Sequence, residues 1–162
     1  MDREGPHREF KTFFEDERER LGRALYLVTG DIGEADDLAQ DAFVRVFEGW
    51  DRIGTMDSPT GYLYRTALNL HRSRRRKRTS SARHESVPID RDELAVVEDR
   101  ETIVRSLAQL TPNQREALVL TEWLGLDSEQ AADVMRINAS TVRVHLSRAR
   151  AILRGARVII DE

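Results

Sequence analysis

Residues 127–154 constrain the fold of this chain more than any other stretch, because two helical patterns of apolar residues meet there across a short break. Apolar side chains at intervals of three and four residues lie on one face of a helix. The break, residues 136–139, has the length of the turn in a helix-turn-helix unit. The sequence therefore predicts two short helices that pack through Ala131, Ala132 and Met135 in the first and Val142, Leu146, Ala149 and Leu153 in the second.

The second of these helices carries basic and small polar side chains opposite its apolar stripe. Such a helix fits the major groove of B-DNA, where arginine forms two hydrogen bonds with guanine and valine contacts a thymine methyl group. The alternative is an arginine-rich face that is only solvated; the turn length and the adjacent Ala131 and Ala132, which permit close helix approach, favour DNA. The side chains of this face are Arg143, Val144, Ser147 and Arg148, flanked by Arg150 and Arg154.

The composition is typical of a soluble, largely helical protein, since 34% of the 162 residues are charged, 40% are hydrophobic and only four are prolines. The absence of cysteine excludes disulfides and thiolate metal sites. No apolar run approaches the roughly 20 residues that span a bilayer, so we expect a cytoplasmic protein without membrane insertion. The four histidines are scattered and predicted to lie at the surface. With no metal-ligand motif, glycine-rich phosphate loop or nucleophile beside a base, we predict no cofactor, no metal and no enzymatic activity.

Charge is distributed in blocks along the chain. Residues 1–50 hold 7 basic and 13 acidic side chains, and residues 51–84 hold 9 and 2. Residues 85–134 hold 4 and 12, and residues 135–162 hold 6 and 2, which gives the net charge of −3. This alternation predicts that a polyanion is bound at two separate places while the acidic blocks face another partner.

Three helices are predicted in the first half of the chain. The first covers residues 7–29 and ends before Gly30. The second follows it and buries an apolar stripe that extends to Trp50, while its other side stays polar and acidic. The third begins at Ser58 and Pro59, an N-cap followed by proline at the first helical position.

The third predicted helix ends in five consecutive basic residues, 74–78. So many like charges repel one another unless an anion neutralises them, and phosphate is the anion that we favour. A localisation signal and a solvated helix end are the alternatives. Tyr62, Tyr64 and Asn69 lie just upstream and favour stacking on, or hydrogen bonding to, unpaired bases; core packing of Tyr62 is the competing interpretation.

Residues 79–97 lose the helical period and collect serine, proline and mixed charge, which is typical of a flexible linker. Beyond it we predict four helices, with N-caps at Thr111 and Asp127 for the second and third. The predicted fold class is therefore all-α, with two small helical domains, residues 1–78 and 98–162, joined by the linker. The second domain contains the helix-turn-helix.

Together the two halves resemble the sigma factors of bacterial RNA polymerase, of the small extracytoplasmic-function type that keeps only regions 2 and 4. The segment GDIGEADDLAQDAFVRVF resembles region 2.2 of that family. The segment SPTGYLYRTALNLHRSRRRKR resembles regions 2.3 and 2.4, with Tyr62 where the family usually has tryptophan, Asn69 at its recurrent asparagine and Ser73 in place of a common aspartate.

The last part of the chain, LTPNQREALVLTEWLGLDSEQAADVMRINASTVRVHLSRAR, resembles region 4. Thr141 and Val142 match the typical Thr-Val pair of that region, and residues 148–150 match its Arg-Ala-Arg signature. Arg136 replaces the glycine that is often found in the turn. A residue with a side chain at this position must either avoid strongly positive φ or incur a cost of about 1 kcal/mol.

The resemblance implies binding to core RNA polymerase and to promoter DNA, both as duplex and as melted strand, and an anti-sigma protein as a further partner. For the −35 element it implies contacts from Arg136, Thr141, Arg143, Val144, Ser147, Arg148 and Arg150. For the −10 element it implies contacts from Tyr62, Tyr64, Arg65, Asn69, Arg72, Arg74, Arg75, Arg76 and Lys77. For core polymerase it implies contacts from Asp37, Gln40, Asp41, Val44 and Arg45.

A second class of function is a stand-alone helix-turn-helix regulator that binds duplex DNA as a dimer. Such a protein needs a dimerising helix and has no affinity for polymerase. The separate basic helix in the first half of the chain argues against it.

Overall fold

The computed structural model describes the backbone of residues 4–80 and 98–160, and the side chains of residues 5–78 and 101–155. The chain divides into two compact units. The first unit is Met1–Leu25 with Gly33–Val87, and the second unit is Tyr26–Ile32 with Pro88–Glu162. The predicted linker lies outside the described residues except for its first two positions, which continue a helix that ends at Ser80.

Within the described ranges the chain forms helices joined by turns, so the predicted all-α fold of two helical units is confirmed. In the first half the helices are α1 (Glu4–Thr29), α2 (Ile32–Glu48), α3 (Trp50–Ile53) and α4 (Pro59–Ser80). In the second half they are α5 (Glu98–Ala108), α6 (Pro112–Leu118), α7 (Ser128–Met135) and α8 (Ala139–Ile160), and a π-helical turn (Val119–Trp123) follows α6 directly.

Local side-chain chemistry defines the starts of several helices. The hydroxyl of Ser58 accepts a hydrogen bond from the amide of Gly61, 3.0 Å away, at the start of α4. Thr111 and Gln114 form a reciprocal capping box before α6, and Asp127 with Gln130 forms another before α7. Such caps occupy amides that have no partner within the helix and stabilise it by about 1 kcal/mol each. The predicted N-caps are therefore confirmed.

Aromatic packing between helices organises part of the first unit. The ring of Phe14 lies 4.8 Å from that of Phe43, and Phe10 lies 5.4 Å from Trp50, both edge to face. Pairs of this kind contribute about 0.5–1.5 kcal/mol beyond the area that they bury. The sequence predicted that the buried stripe of the second helix extends to Trp50. In the structure α2 ends at Glu48, and a new turn, α3, begins at Trp50.

Small side chains bring α7 and α8 together in the second unit. Ala131 on α7 and Ala149 on α8 are completely buried, as is Val142. A helix can approach another closely where its side chains are this small, and the predicted helix-turn-helix packing is present. Upstream of α7, the helix α6 continues directly into the π-helical turn. There the amide of Leu124 donates a hydrogen bond to the carbonyl of Val119, 3.1 Å away.

Candidate functional surfaces

The solvent face of α8 presents most of the residues predicted to bind duplex DNA. Arg143, Ser147, Arg148 and Arg150 are exposed, and Val144 is 46% exposed, which is high for an apolar side chain in a folded unit. Thr141 is half-buried at the start of the helix. The buried side of the same helix, including Val142 and Ala149, holds it against the rest of the second unit, so this face is rigidly positioned.

The turn between α7 and α8 has a left-handed residue. Arg136 adopts φ 57° and ψ 43°, and it is the one non-glycine residue with positive φ in the described part of the chain. The amides of Arg136 and Ile137 both point to the carbonyl of Ala132, which closes the end of α7 in the manner of a left-handed C-cap. Of the two outcomes that the sequence left open, the costly one is present, because this closure places Arg136 at positive φ. Its side chain is exposed.

One polar side of α2, the α2 surface, consists of the five residues predicted to bind polymerase. All five are exposed, and Val44, at 54%, lies near the centre of the side they share. An exposed apolar residue within a polar rim is typical of a protein interface. The members of this surface are Asp37, Gln40, Asp41, Val44 and Arg45.

The two tyrosines predicted to contact unpaired bases lie in different environments. Tyr62 is half-buried, and the guanidinium of Arg52 lies over its ring at 5.7 Å from the centroid. Tyr64 is only 4% exposed, and its hydroxyl donates to a carboxylate oxygen of Glu17, 3.3 Å away. Burial, followed by the charge of Glu17, raises the pKa of Tyr64 well above its usual value. The prediction that Tyr64 contacts DNA is corrected, because its ring lies in the core.

The basic end of α4 is partly neutralised by α2. Arg74 forms an ion pair with Asp41. Arg78 lies 3.0 Å from the carboxylate of Glu34. The other residues predicted to bind the melted strand follow along the same helix: Arg65, Asn69, Arg72 and Arg75 are half-buried, and Arg76 and Lys77 are exposed. The segment is thus cationic at its surface, although part of its charge already has a counter-ion inside the first unit.

His71 contradicts the prediction that every histidine lies at the surface, since it is only 8% exposed. Its Nδ1 atom faces the carboxylate of Glu34 at 3.7 Å, which is too long for a hydrogen bond but close enough for attraction when the ring is protonated. His71 and then Arg78 lower the pKa of Glu34 to about 2, against the effect of burial, which raises it. Sequence reasoning missed this cluster, which joins α2 to α4.

The described side chains contain no cluster of three or more histidine, aspartate or glutamate residues arranged to hold a metal ion. In the same part of the chain, no helix combines the length and the apolar character needed to cross a membrane.

Comparison with known proteins identifies both units. A family model described as Sigma-70 region 2 matches residues 13–81, and one described as Sigma-70, region 4 matches residues 100–153. A probable RNA polymerase sigma-C factor of Mycobacterium bovis is 36% identical over 127 residues, which cover 74% of this chain and 68% of that protein. The same figures hold for a protein of Mycobacterium tuberculosis named ECF RNA polymerase sigma factor SigC. The chain belongs to the extracytoplasmic-function sigma factors of the sigma-70 family.

Other relatives of this sigma factor match over more of its length. An RNA polymerase sigma-E factor of Streptomyces avermitilis is 29% identical and covers 90% of this chain and 83% of its own. The structure of CnrH in complex with the cytosolic domain of CnrY matches with a TM-score of 0.69 at 26% identity, over 98% of this chain and 92% of that one. The sigma factor RpoE of Bartonella quintana, in complex with the anti-sigma factor NepR, shares the fold with a TM-score of 0.71 at 24% identity, over 90% of this chain and 96% of that one.

The matched ranges place α2 and α4 in region 2 and the helix-turn-helix in region 4. The α2 surface and the basic end of α4 therefore both lie in region 2, and the exposed face of α8 lies in region 4. The assignment of individual residues to polymerase or DNA is not tested by these matches and stays a prediction.

Proposed function

We propose that this sigma factor is a dissociable promoter-specificity subunit without catalytic chemistry of its own. It acts in the cytoplasm, binds core RNA polymerase through the α2 surface, reads the −35 element through α8 and holds the melted strand of the −10 element against α4. The single observation that carries the proposal is the exposed face of α8, where Arg143, Val144 and Arg148 extend from a helix whose opposite side is fixed in the core.

The chemistry of α8 supports base reading in the major groove. Arg143 and Arg148 form no ion pair with another described side chain, so their guanidinium groups are available for guanine. Val144 between them is suited to the methyl group of thymine. Thr141 and Ser147 add hydroxyl groups along the helix, and Arg136 adds a cation at the turn.

The α2 surface supports polymerase binding by a different kind of contact. Val44 is an apolar centre, and Asp37, Gln40, Asp41 and Arg45 surround it with polar groups. Burying a valine contributes about 1.5 kcal/mol or more, and a polar rim supplies orientation. These residues support a protein partner, whereas the face of α8 supports a nucleic acid.

In this proposal α4 binds the melted strand, and Tyr64 takes no part in the contact. Asn69 and the ring of Tyr62 are only half-buried, and both offer groups that recognise an unpaired base, by hydrogen bonding and by stacking. The basic residues contact the backbone phosphates in this proposal. These are Arg65, Arg72, Arg74, Arg75, Arg76 and Lys77.

An anti-sigma protein is the further partner in this proposal. RpoE and CnrH, to which the chain is similar, were each solved with another protein bound, named for RpoE as the anti-sigma factor NepR. Val44 and Phe47, two of the exposed apolar residues of α2, are suited to a protein surface of that kind.

Transcription in vitro with core RNA polymerase tests the proposal. Addition of the chain is expected to give promoter-specific initiation, and its absence with a cognate promoter would reject the function. Val44→Asp is expected to lower core binding at least tenfold, because a desolvated charge replaces an apolar contact. Thr12→Asp, at another exposed position, on α1, is the matched control.

Gel filtration and a pull-down with core polymerase distinguish the proposed sigma factor from a stand-alone dimeric regulator. A regulator of that class elutes as a dimer in gel filtration and does not retain core polymerase in a pull-down. The proposed sigma factor retains core polymerase, and Arg148→Ala preserves that binding while it impairs promoter discrimination.

A further inference from the structure

A groove in the second unit runs along one side of α8. Arg143, Arg150 and Arg154 line it from α8, Glu122 lines it from the π-helical turn, and Ser128 lines it from the start of α7. Val144 and Arg148, which lie on the outer side of the same helix, are not part of the lining. The helix α8 thus has two basic sides with different surroundings.

The three arginines of the groove recur at intervals of seven and four residues, so they form a row along one side of α8. Arg143 and Arg154 form no ion pair with any other side chain in the described ranges. Like charges in a row repel one another unless an anion lies among them. The groove is therefore suited to an anion that Arg150 and Arg154, which lie one helical turn apart, share.

Glu122 shows where such an anion would lie. Its Oε1 atom is 2.5 Å from Nη2 of Arg150, and both side chains are more than half exposed. A carboxylate oxygen carries the charge of a phosphate oxygen and forms the same hydrogen bonds with arginine. Asp127, the other acid of the groove, is engaged at the N-cap of α7, where it accepts from the amide of Gln130 at 2.8 Å.

We propose that this groove binds a backbone phosphate of duplex DNA, and that Glu122 occupies the anion position beside Arg150 when DNA is absent. Because the phosphate backbone has no sequence information, Glu122 weakens binding to every duplex equally. Base contacts from Val144 and Arg148 are unaffected. Glu122 therefore lowers the affinity for duplex DNA in general and leaves the ratio of specific to non-specific binding unchanged. This inference rests on the DNA-reading part of the proposed function and is independent of polymerase binding.

The expected effect of Glu122→Gln follows from counterion release. Freeing one arginine to neutralise one more phosphate steepens the dependence of log affinity on log salt by about 0.9. Exposed ion pairs are weak, so we expect roughly two- to fivefold tighter binding to random-sequence duplex at low salt. The affinity for a promoter duplex is expected to rise by the same factor, so the discrimination between a promoter and random sequence is expected to stay unchanged.

Fluorescence anisotropy of the full chain with a labelled random-sequence duplex, measured over a range of salt concentrations, tests this inference. Glu129→Gln is the matched control, since Glu129 is an exposed acid on α7 outside the groove lining. Arg150→Gln is expected to weaken binding. The double variant of Glu122→Gln with Arg150→Gln is expected to bind like Arg150→Gln alone, because the effect of Glu122 acts through Arg150.

Equal salt slopes for Glu122→Gln and Glu129→Gln would overturn the inference, as would a full gain of affinity in the double variant. Inorganic phosphate at matched ionic strength is expected not to displace the duplex, and displacement at millimolar phosphate would assign the groove to free phosphate instead. Failure of every variant to bind duplex would also reject the DNA-reading half of the proposed function, whereas equal slopes leave that half intact.

Discussion

Replacing Arg136 by glycine is expected to stabilise the second unit. The left-handed conformation of Arg136 costs a residue with a side chain about 1–2 kcal/mol. Glycine avoids that cost but loses about 0.5–1 kcal/mol more conformational entropy on folding. The net gain expected for Arg136→Gly is therefore about 1 kcal/mol, which corresponds to a roughly fivefold change in the unfolding equilibrium.

Native-state hydrogen exchange followed by mass spectrometry measures this gain within one unit. Peptides from α7 and α8 are expected to exchange about fivefold more slowly in Arg136→Gly, while peptides from α2 serve as an internal reference. Arg136→Ala removes the same guanidinium but keeps a Cβ atom, so it is expected to give no protection. Arg136→Asn is expected to give an intermediate gain, because asparagine tolerates this conformation.

The outcome that would refute the reasoning is equal exchange in Arg136→Gly and Arg136→Ala. In that case the turn does not carry the conformational cost assigned to it. Arg136→Gly and Arg136→Ala together also separate stability from DNA binding, since both variants lack the guanidinium group that is predicted to contact DNA. Their promoter affinities are therefore expected to fall together while their stabilities diverge.

Three further variants test other parts of the structure. Gly54→Ala is expected to destabilise the first unit by about 1–3 kcal/mol in urea unfolding, because a Cβ atom there would lie 2.9 Å from the indole of the preceding turn; Gly22→Ala, with nothing near its Cβ position, is expected to stabilise by about 0.5–1 kcal/mol. The folded pKa of Glu34 is about 2, below the value of 4.5 for an unperturbed carboxyl group, so its charge stabilises the wild type above pH 4.5 and this stability is lost as the pH falls through about 2. Glu34→Gln is expected to lack this pH-dependent stability. An acid titration of the free energy of unfolding measures the difference, with Asp36→Asn as the control. Arg148→Ala is expected to lower discrimination at one base pair of the upstream element by roughly 1–3 kcal/mol, measured with single-base promoter variants.

Helix starts could be predicted from the sequence because a cap involves residues only three positions apart. Ser58, Thr111 and Asp127 each bond to an amide three residues further on, so no tertiary information was needed. The exposed faces of α2 and α8 followed from helical periodicity in the same way. By contrast, the break at Gly49 was missed although a glycine inside a helical pattern is itself a local signal for an interruption.

The environment of Tyr64 was misjudged, although the sequence contains the signal. Tyr64, Ala67, Leu68 and His71 are spaced by three, four and seven residues from the first, and all four are buried. This spacing places Tyr64 and His71 on the apolar face of α4, together with Ala67 and Leu68. The prediction gave too much weight to the side-chain chemistry of tyrosine and histidine and too little to position on the helix.

The charge blocks of the sequence are partly neutralised within the first unit. Asp41 was predicted to contact polymerase and Arg74 to contact the melted strand, yet the two form an ion pair with each other. An exposed pair contributes at most about 1 kcal/mol, so either partner can exchange it for an external contact. A loss of strand binding in Arg74→Ala therefore combines a lost phosphate contact with an uncompensated Asp41. Only a double-mutant cycle with Asp41→Asn, in which polymerase binding and strand binding are both measured, separates these two effects.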